Sequence, residues 1–143
     1  WLHWDKIDEA GQALTEFVRE TIALRKQQPL LRRDNFRDGM IVEWLNPAGG
    51  LQTDEAWNDA AATTIGLRLQ RDVSGENGAF PELLVLFNAA DAEVEFALPA
   101  RESGQWRIVI DTSKADRAEG EALQAAQGEL SARLFPRSLM LLA

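Results

Sequence analysis

Leu83-Leu84-Val85-Leu86-Phe87 is followed by Asn88-Ala89-Ala90-Asp91 and then by Ala92-Glu93-Val94-Glu95-Phe96-Ala97-Leu98. Five consecutive apolar side chains read as a central strand, because a strand covered on both faces has no polar alternation. The Asn- and Asp-bearing tetrapeptide reads as a turn. The residues after it alternate, with Val94, Phe96 and Leu98 on one side and Glu93 and Glu95 on the other. That is a strand with one wet face.

The same period of two continues outward from this stretch. Toward the C-terminus, residues 99–104 turn, and Trp106, Ile108 and Ile110 alternate with Arg107 and Val109. Residues 112–128 are rich in Ala, Glu and Gln and carry no strand signal, while residues 130–134 and 138–142 read as strands separated by Pro136. Toward the N-terminus, residues 72–81 hold Ser74-Gly75 and Asn77-Gly78 and read as a loop. Residues 64–70 set Ile65, Leu67 and Leu69 against Gly66 and Arg68, and Thr53 is placed to cap a short helical turn through Trp57. Residues 40–45 form a strand stopped by Asn46-Pro47-Ala48-Gly49-Gly50. Roughly seven short strands joined by hairpin-type turns predict an antiparallel β-sandwich.

Before residue 37 the period changes. Over residues 5–28, Ala10, Leu14, Phe17, Thr21 and Leu24 recur at helical spacing, and Ala13, Val18 and Ile22 widen the stripe. Asp5 is the expected N-cap, with Asp8 three residues on. Asp8 and Glu9 at the start, and Arg25 and Lys26 at the end, suit the helix dipole. Pro29 stops the helix, and Gly11 costs about 1 kcal/mol against Ala. The expected fold is therefore mainly β: a sandwich preceded by one long amphipathic α-helix.

Composition excludes several function classes. The 143 residues include 15 Lys and Arg, 23 Asp and Glu, one His and no Cys. Residues 1–36 are balanced at 6 basic and 6 acidic, and residues 37–143 carry all of the net charge of −8. Such a balance repels phosphate and argues against nucleic acid as a partner. Without Cys there is no disulfide framework, iron–sulfur site, Cys-based zinc site or thiol nucleophile. No apolar run approaches the ~18 residues of a membrane span. A chain of this size buries about 70% of its unfolded surface and needs no staple. The opening Trp1-Leu2-His3-Trp4-Asp5 carries neither an initiating Met nor a signal peptide, which predicts a segment of a longer, cytoplasmic chain.

Chemistry-bearing constellations are sparse. His3 has no second His and no Cys for zinc, and reads as a loop side chain rather than a triad base. Gly49-Gly50 and Gly75 to Gly78 lack the spacing of a phosphate cradle and read as turns. Glu93 and Glu95 share one strand face roughly 6–7 Å apart. A glycosidase pair has a similar separation but must flank a bond inside a cleft, so these two read as a solvated face. No catalytic, cofactor or metal residue is assigned. Tryptophan is the distinctive side chain, at positions 1, 4, 44, 57 and 106, and there is no Tyr. An exposed indole face stacks on sugar rings, whose C–H bonds meet its negative quadrupole. Trp44 and Trp106 lie in strand patterns and read as core or interface. Trp57 on its short turn, with Trp1 and Trp4 before the helix, are the sugar-contact candidates.

Several of these segments resemble the C-terminal part of bacterial glycogen debranching enzymes of the isoamylase type, in the α-amylase superfamily. Trp1-Leu2-His3-Trp4-Asp5 resembles the stretch before that family's last barrel helix, and Thr21-Ile22-Ala23-Leu24-Arg25-Lys26-Gln27-Gln28-Pro29-Leu30 resembles the end of that helix. Val42-Glu43-Trp44-Leu45-Asn46-Pro47-Ala48-Gly49-Gly50 followed by Thr53-Asp54-Glu55-Ala56-Trp57 is the more specific match. The strand ending in Asn88, the pair Leu98-Pro99 with Trp106, and the closing residues 134–142 fit the rest. The resemblance implies that residues 1–36 are the last helix of an upstream (β/α)8 barrel with its linker, and that residues 37–143 are a C-terminal β-sandwich. It also implies that the parent hydrolyses α-1,6 branch linkages of glycogen or limit dextrin with carboxylates carried by the barrel. None of those carboxylates matches a position here, so the segment alone is expected to be inactive, its partner being the barrel of its own polypeptide. Two other readings stand beside this one: a glycan-binding module that meets α-glucan through its tryptophans, and a stand-alone acidic interaction domain.

Overall fold

A computed structural model describes residues 6–32, 39–71, 82–101, 104–114, 123 and 130–143. It divides into two compact units, Trp1–Asp38 and Gly39–Ala143.

The first unit holds helix α1 (Glu9–Gln27) and a 3-10 turn, Pro29–Leu31. Asp8, not Asp5, is the N-cap; its side chain accepts from Gly11 N–H at 2.9 Å. The helix therefore begins later than residue 5, and Asp5 itself lies outside the described residues. Gly11 has a reason to be there: a Cβ at this position would lie 2.8 Å from Cγ2 of Ile7, which folds over the first turn. At the other end Gln28 leaves helical geometry before Pro29, as a residue preceding proline must. Leu24 is buried, whereas Leu14, Phe17, Val18 and Ile22 of the same stripe are exposed, Leu14 at 63%.

The second unit is all strand apart from one short helix. Its elements are β1 (Met40–Leu45), α2 (Asp54–Trp57), β2 (Thr64–Arg71), β3 (Glu82–Asn88), β4 (Val94–Ala97), β5 (Ile108–Asp111), β6 (Ser131–Leu134) and β7 (Ser138–Leu142). Five strands form an antiparallel sheet in the order β1-β2-β3-β7-β5, and β4 pairs with β6 in a second sheet. The expected hairpin between β3 and β4 is absent, because β4 belongs to the other sheet. Asn88 makes that crossing. Its Nδ2 donates to Ala92 O at 2.9 Å, Phe135 O at 2.9 Å and Leu134 O at 3.4 Å. Its Oδ1 accepts from Ala90 N at 3.0 Å and from the Thr64 hydroxyl at 3.3 Å. One buried amide thus satisfies backbone groups that the change of sheet takes out of any ladder.

The two sheets share one core. Leu45, Leu84, Leu86, Ile108, Met140 and Leu142 of the larger sheet pack with Phe96, Ala132 and Leu134 of the smaller, together with Leu98 and Trp106. Phe96 presses onto the backbone of β2: a Cβ on Gly66 would come within 2.8 Å of its ring. Where the narrow sheet runs out, the inner face of the wide one carries charge instead. Arg68 donates to Glu82 at 2.6 Å and to Glu43 at 3.3 Å, and Arg101 donates to Glu82 at 3.1 Å while lying 4.5 Å over the ring of Trp106. Paired in this way, half-buried charges avoid the penalty of isolated ones. Leu123 lies against the core and donates its N–H to Trp106 O; of the stretch without strand signal, residues 112–114 turn away from β5, and residues 115–122 and 124–128, like the loop expected over 72–81, lie outside the described residues.

Candidate functional site

Strand registers place every second residue of the large sheet on the side away from its partner. Val42, Leu69 and Leu83 form one row; Trp44, Leu67, Val85 and Leu141 form the next; Ile65, Phe87 and Leu139 form a third. None of these belongs to the shared core. The apolar set of β2 is thus turned outward, and its inward set is Thr64, Gly66, Arg68 and Gln70. Val42, Trp44 and Phe87 are exposed, Ile65, Leu67, Val85 and Leu139 are half-buried, and Leu69, Leu83 and Leu141 are buried. A soluble sheet normally alternates apolar inside and polar outside. Here both faces are apolar, as the run over residues 83–87 requires.

At the β1 edge this outer face ends in two indoles. Trp44 is 39% exposed and Trp57 is 52% exposed, with ring centroids 5.6 Å apart and planes at 78°. Of the two expectations for Trp44, core or interface, the core is not met: its register sends it outward on an edge strand, while Leu45 beside it goes in. Trp106 is fully buried as expected, its Nε1 donating to Pro99 O at 2.9 Å. Trp1 and Trp4, the other sugar-contact candidates, lie outside the described residues, as does His3.

Local chemistry fixes the indole pair. The Asn46 to Gly50 turn is closed by Asn46 Oδ1, which accepts from Ala48 N at 3.0 Å and Gly50 N at 3.2 Å. Gly49 adopts φ +81, a region that favours glycine, and a Cβ there would meet Ala97 O at 2.9 Å. The chain then returns along β1: Leu51 bridges Leu45, and Gln52 N–H donates to Trp44 O at 2.8 Å. Thr53 caps α2 as expected, accepting from Ala56 N at 3.2 Å. Asn58 Nδ2 donates to Asp54 O at 2.7 Å and closes the other end. Hydrogen bonds from its own backbone N–H and from the Thr53 hydroxyl hold the Glu55 carboxyl below the usual carboxylate range.

Other sequence candidates are ordinary surface. Glu95 accepts from the Ser131 hydroxyl at 2.6 Å, and Glu93 faces Arg133 at 3.7 Å; both are exposed. Among the described residues no three His, Asp or Glu side chains gather to hold a metal. No helix among them is long and apolar enough to cross a membrane.

A family profile described as "Isoamylase, C-terminal" matches residues 41–142. The chain is also similar to the glycogen operon protein GlgX homolog of Mycobacterium tuberculosis, at 29% identity over 79% of this chain and 18% of that protein. It is 29% identical to the isoamylase of Pseudomonas amyloderamosa over 78% of this chain and 14% of that protein. It is 31% identical to the glycogen debranching enzyme of Yersinia enterocolitica over 83% of this chain and 16% of that protein. The chain thus spans less than a fifth of the length of these relatives.

Proposed function

The chain belongs to the isoamylase C-terminal family, and from that membership we propose that it is the non-catalytic C-terminal part of a glycogen-debranching hydrolase. In this reading the polypeptide cleaves α-1,6 branch linkages of glycogen or limit dextrin in the cytoplasm. Residues 1–36 are the last helix of its (β/α)8 barrel, and residues 37–143 stabilise that barrel. The carrying observation is the outer face of the large sheet, where β2 turns the half-buried Ile65 and Leu67 away from the core shared with the smaller sheet. A second apolar surface, larger than isolated exposed side chains explain, is what an interdomain contact requires. The exposed Leu14, Phe17, Val18 and Ile22 of α1 support the same reading from the other unit.

The test uses the full-length polypeptide. Leu67→Asp puts a charge on the outer face and leaves the inner core untouched. It is expected to lower the melting temperature of the catalytic part by several degrees, on the order of 2 kcal/mol for a buried unpaired charge. An unchanged melting curve would remove the docking role. The 143-residue chain alone is expected to release no linear chains from branched glucan; measurable release by it would overturn the non-catalytic reading.

A further inference from the structure

We propose that Trp44 and Trp57 together form a stacking platform for an α-linked glucan chain. The proposal rests on the reading of the polypeptide as a glucan hydrolase and adds a contact made by this segment itself. Two indoles side by side at a sheet edge, one 39% and the other 52% exposed, are unusual for the residue type that most rewards burial. Their polar neighbours in sequence include two carboxylate acceptors, Asp54 and Glu55, and the amide of Asn58, all exposed. Glu55 is a carboxylate at neutral pH, and the hydrogen bonds it receives hold its carboxyl further below the usual range.

This chemistry selects among ligands. Apolar ring faces beside carboxylates suit a neutral ligand with C–H faces and hydroxyl donors. They do not suit a polyanion, which the net charge of −8 repels. A protein partner is less suited as well, because the centre of an interface is depleted of Asp and Glu. Geometry selects among glycans. The rings meet edge to face with planes at 78°, so the faces left free of that contact are inclined to each other rather than forming a flat floor. An α-1,4-linked chain curves, so successive rings can meet two inclined faces, whereas a straight β-1,4 chain needs coplanar ones. The pair is preorganised: Trp44 is held in the sheet opposite Leu67 and by the Gln52 hydrogen bond, and Trp57 ends a helix capped by Thr53. Preorganisation lowers the ordering cost of binding.

The experiment titrates the 143-residue chain with maltoheptaose and, separately, with cellohexaose. Indole N–H NMR signals report binding, each assigned by a single Trp→Phe substitution. The Trp44 and Trp57 signals are expected to move together with a dissociation constant on the order of 1 mM, while that of Trp106, bonded inside the core, stays still. Cellohexaose should move neither. Trp57→Ala should weaken maltoheptaose binding at least about tenfold, with Trp57→Phe recovering much of it. In the full-length polypeptide, Trp57→Ala should reduce retardation in glycogen-containing gels. Unmoved Trp44 and Trp57 signals at about 20 mM maltoheptaose, or equal shifts with cellohexaose, would overturn the proposal. So would a full-length Trp57→Ala variant that melts earlier with glycogen retardation intact, which marks the pair as an interdomain contact. That last outcome leaves the barrel-stabilising role standing, and the melting behaviour of Leu67→Asp decides that role independently.

Discussion

Asn88 carries more of the architecture than any other polar residue described. Its amide serves three carbonyls and two donors across residues 64 to 135. Asn88→Ala orphans these groups, each worth about 1–3 kcal/mol when left buried without a partner. Solvent reaches some of them after the change, so the expected loss in urea unfolding is about 3 kcal/mol. Asn88→Asp is expected to be at least as damaging near neutral pH, because a carboxylate oxygen replaces the donor facing Ala92 O and Phe135 O. Protonating that carboxyl restores one donor, so its deficit should narrow at acid pH. A variant whose unfolding midpoint matches the parent would show that the crossing does not depend on this amide.

Among the elements, α2 is short enough that its cap decides whether it forms. Thr53→Ala removes the acceptor for Ala56 N and the donor to Glu55. Loss of a Thr cap costs about 1 kcal/mol, read as faster amide exchange over residues 54–58. The Glu55 carboxyl should titrate closer to the ordinary carboxylate range. With its folded pKa depressed, Glu55 contributes stability above its unfolded pKa and loses it as pH falls through the folded one. The variant should therefore lose less on acidification. Both strand ends and helix ends show what the sequence can convey. Pro29, the turn after Leu45 and the Thr53 cap are local chemistry, so the helix stop, β1 and α2 are where the residues put them. The helix start is ambiguous because Asp5 and Asp8 both suit a cap and only tertiary context chooses. For β2, alternation separates two faces but does not say which one meets the core. Gly66, read only as one of the residues alternating with Ile65, Leu67 and Leu69, is the space that Phe96 fills. Trp44 is left open between core and interface for the same reason: its apolar neighbours reveal a strand, not whether that strand lies at an edge.

At the scale of the molecule, two units each turn an apolar surface outward: one a helical stripe, the other a sheet face. The family match covers the sheet unit and stops short of the helix. Order along the chain adds a further constraint. β7 is the last strand in sequence, yet it lies between β3 and β5 in the large sheet. Deleting residues 138–143 removes the partner of both neighbours together with Met140, Leu141 and Leu142. Burial of three such side chains is worth about 6 kcal/mol, comparable to the whole stability of a small domain, so the truncated chain is expected to show no cooperative melting. A sharp calorimetric transition in that truncation would contradict the central role of β7. On the ribosome this topology imposes a wait: β3 emerges with an open flank and stays so until some fifty further residues have been made. A nonsense codon between Asn88 and Ser138 would then yield a protein with a bare β3 edge, a substrate for chaperones and proteases rather than a shorter working domain.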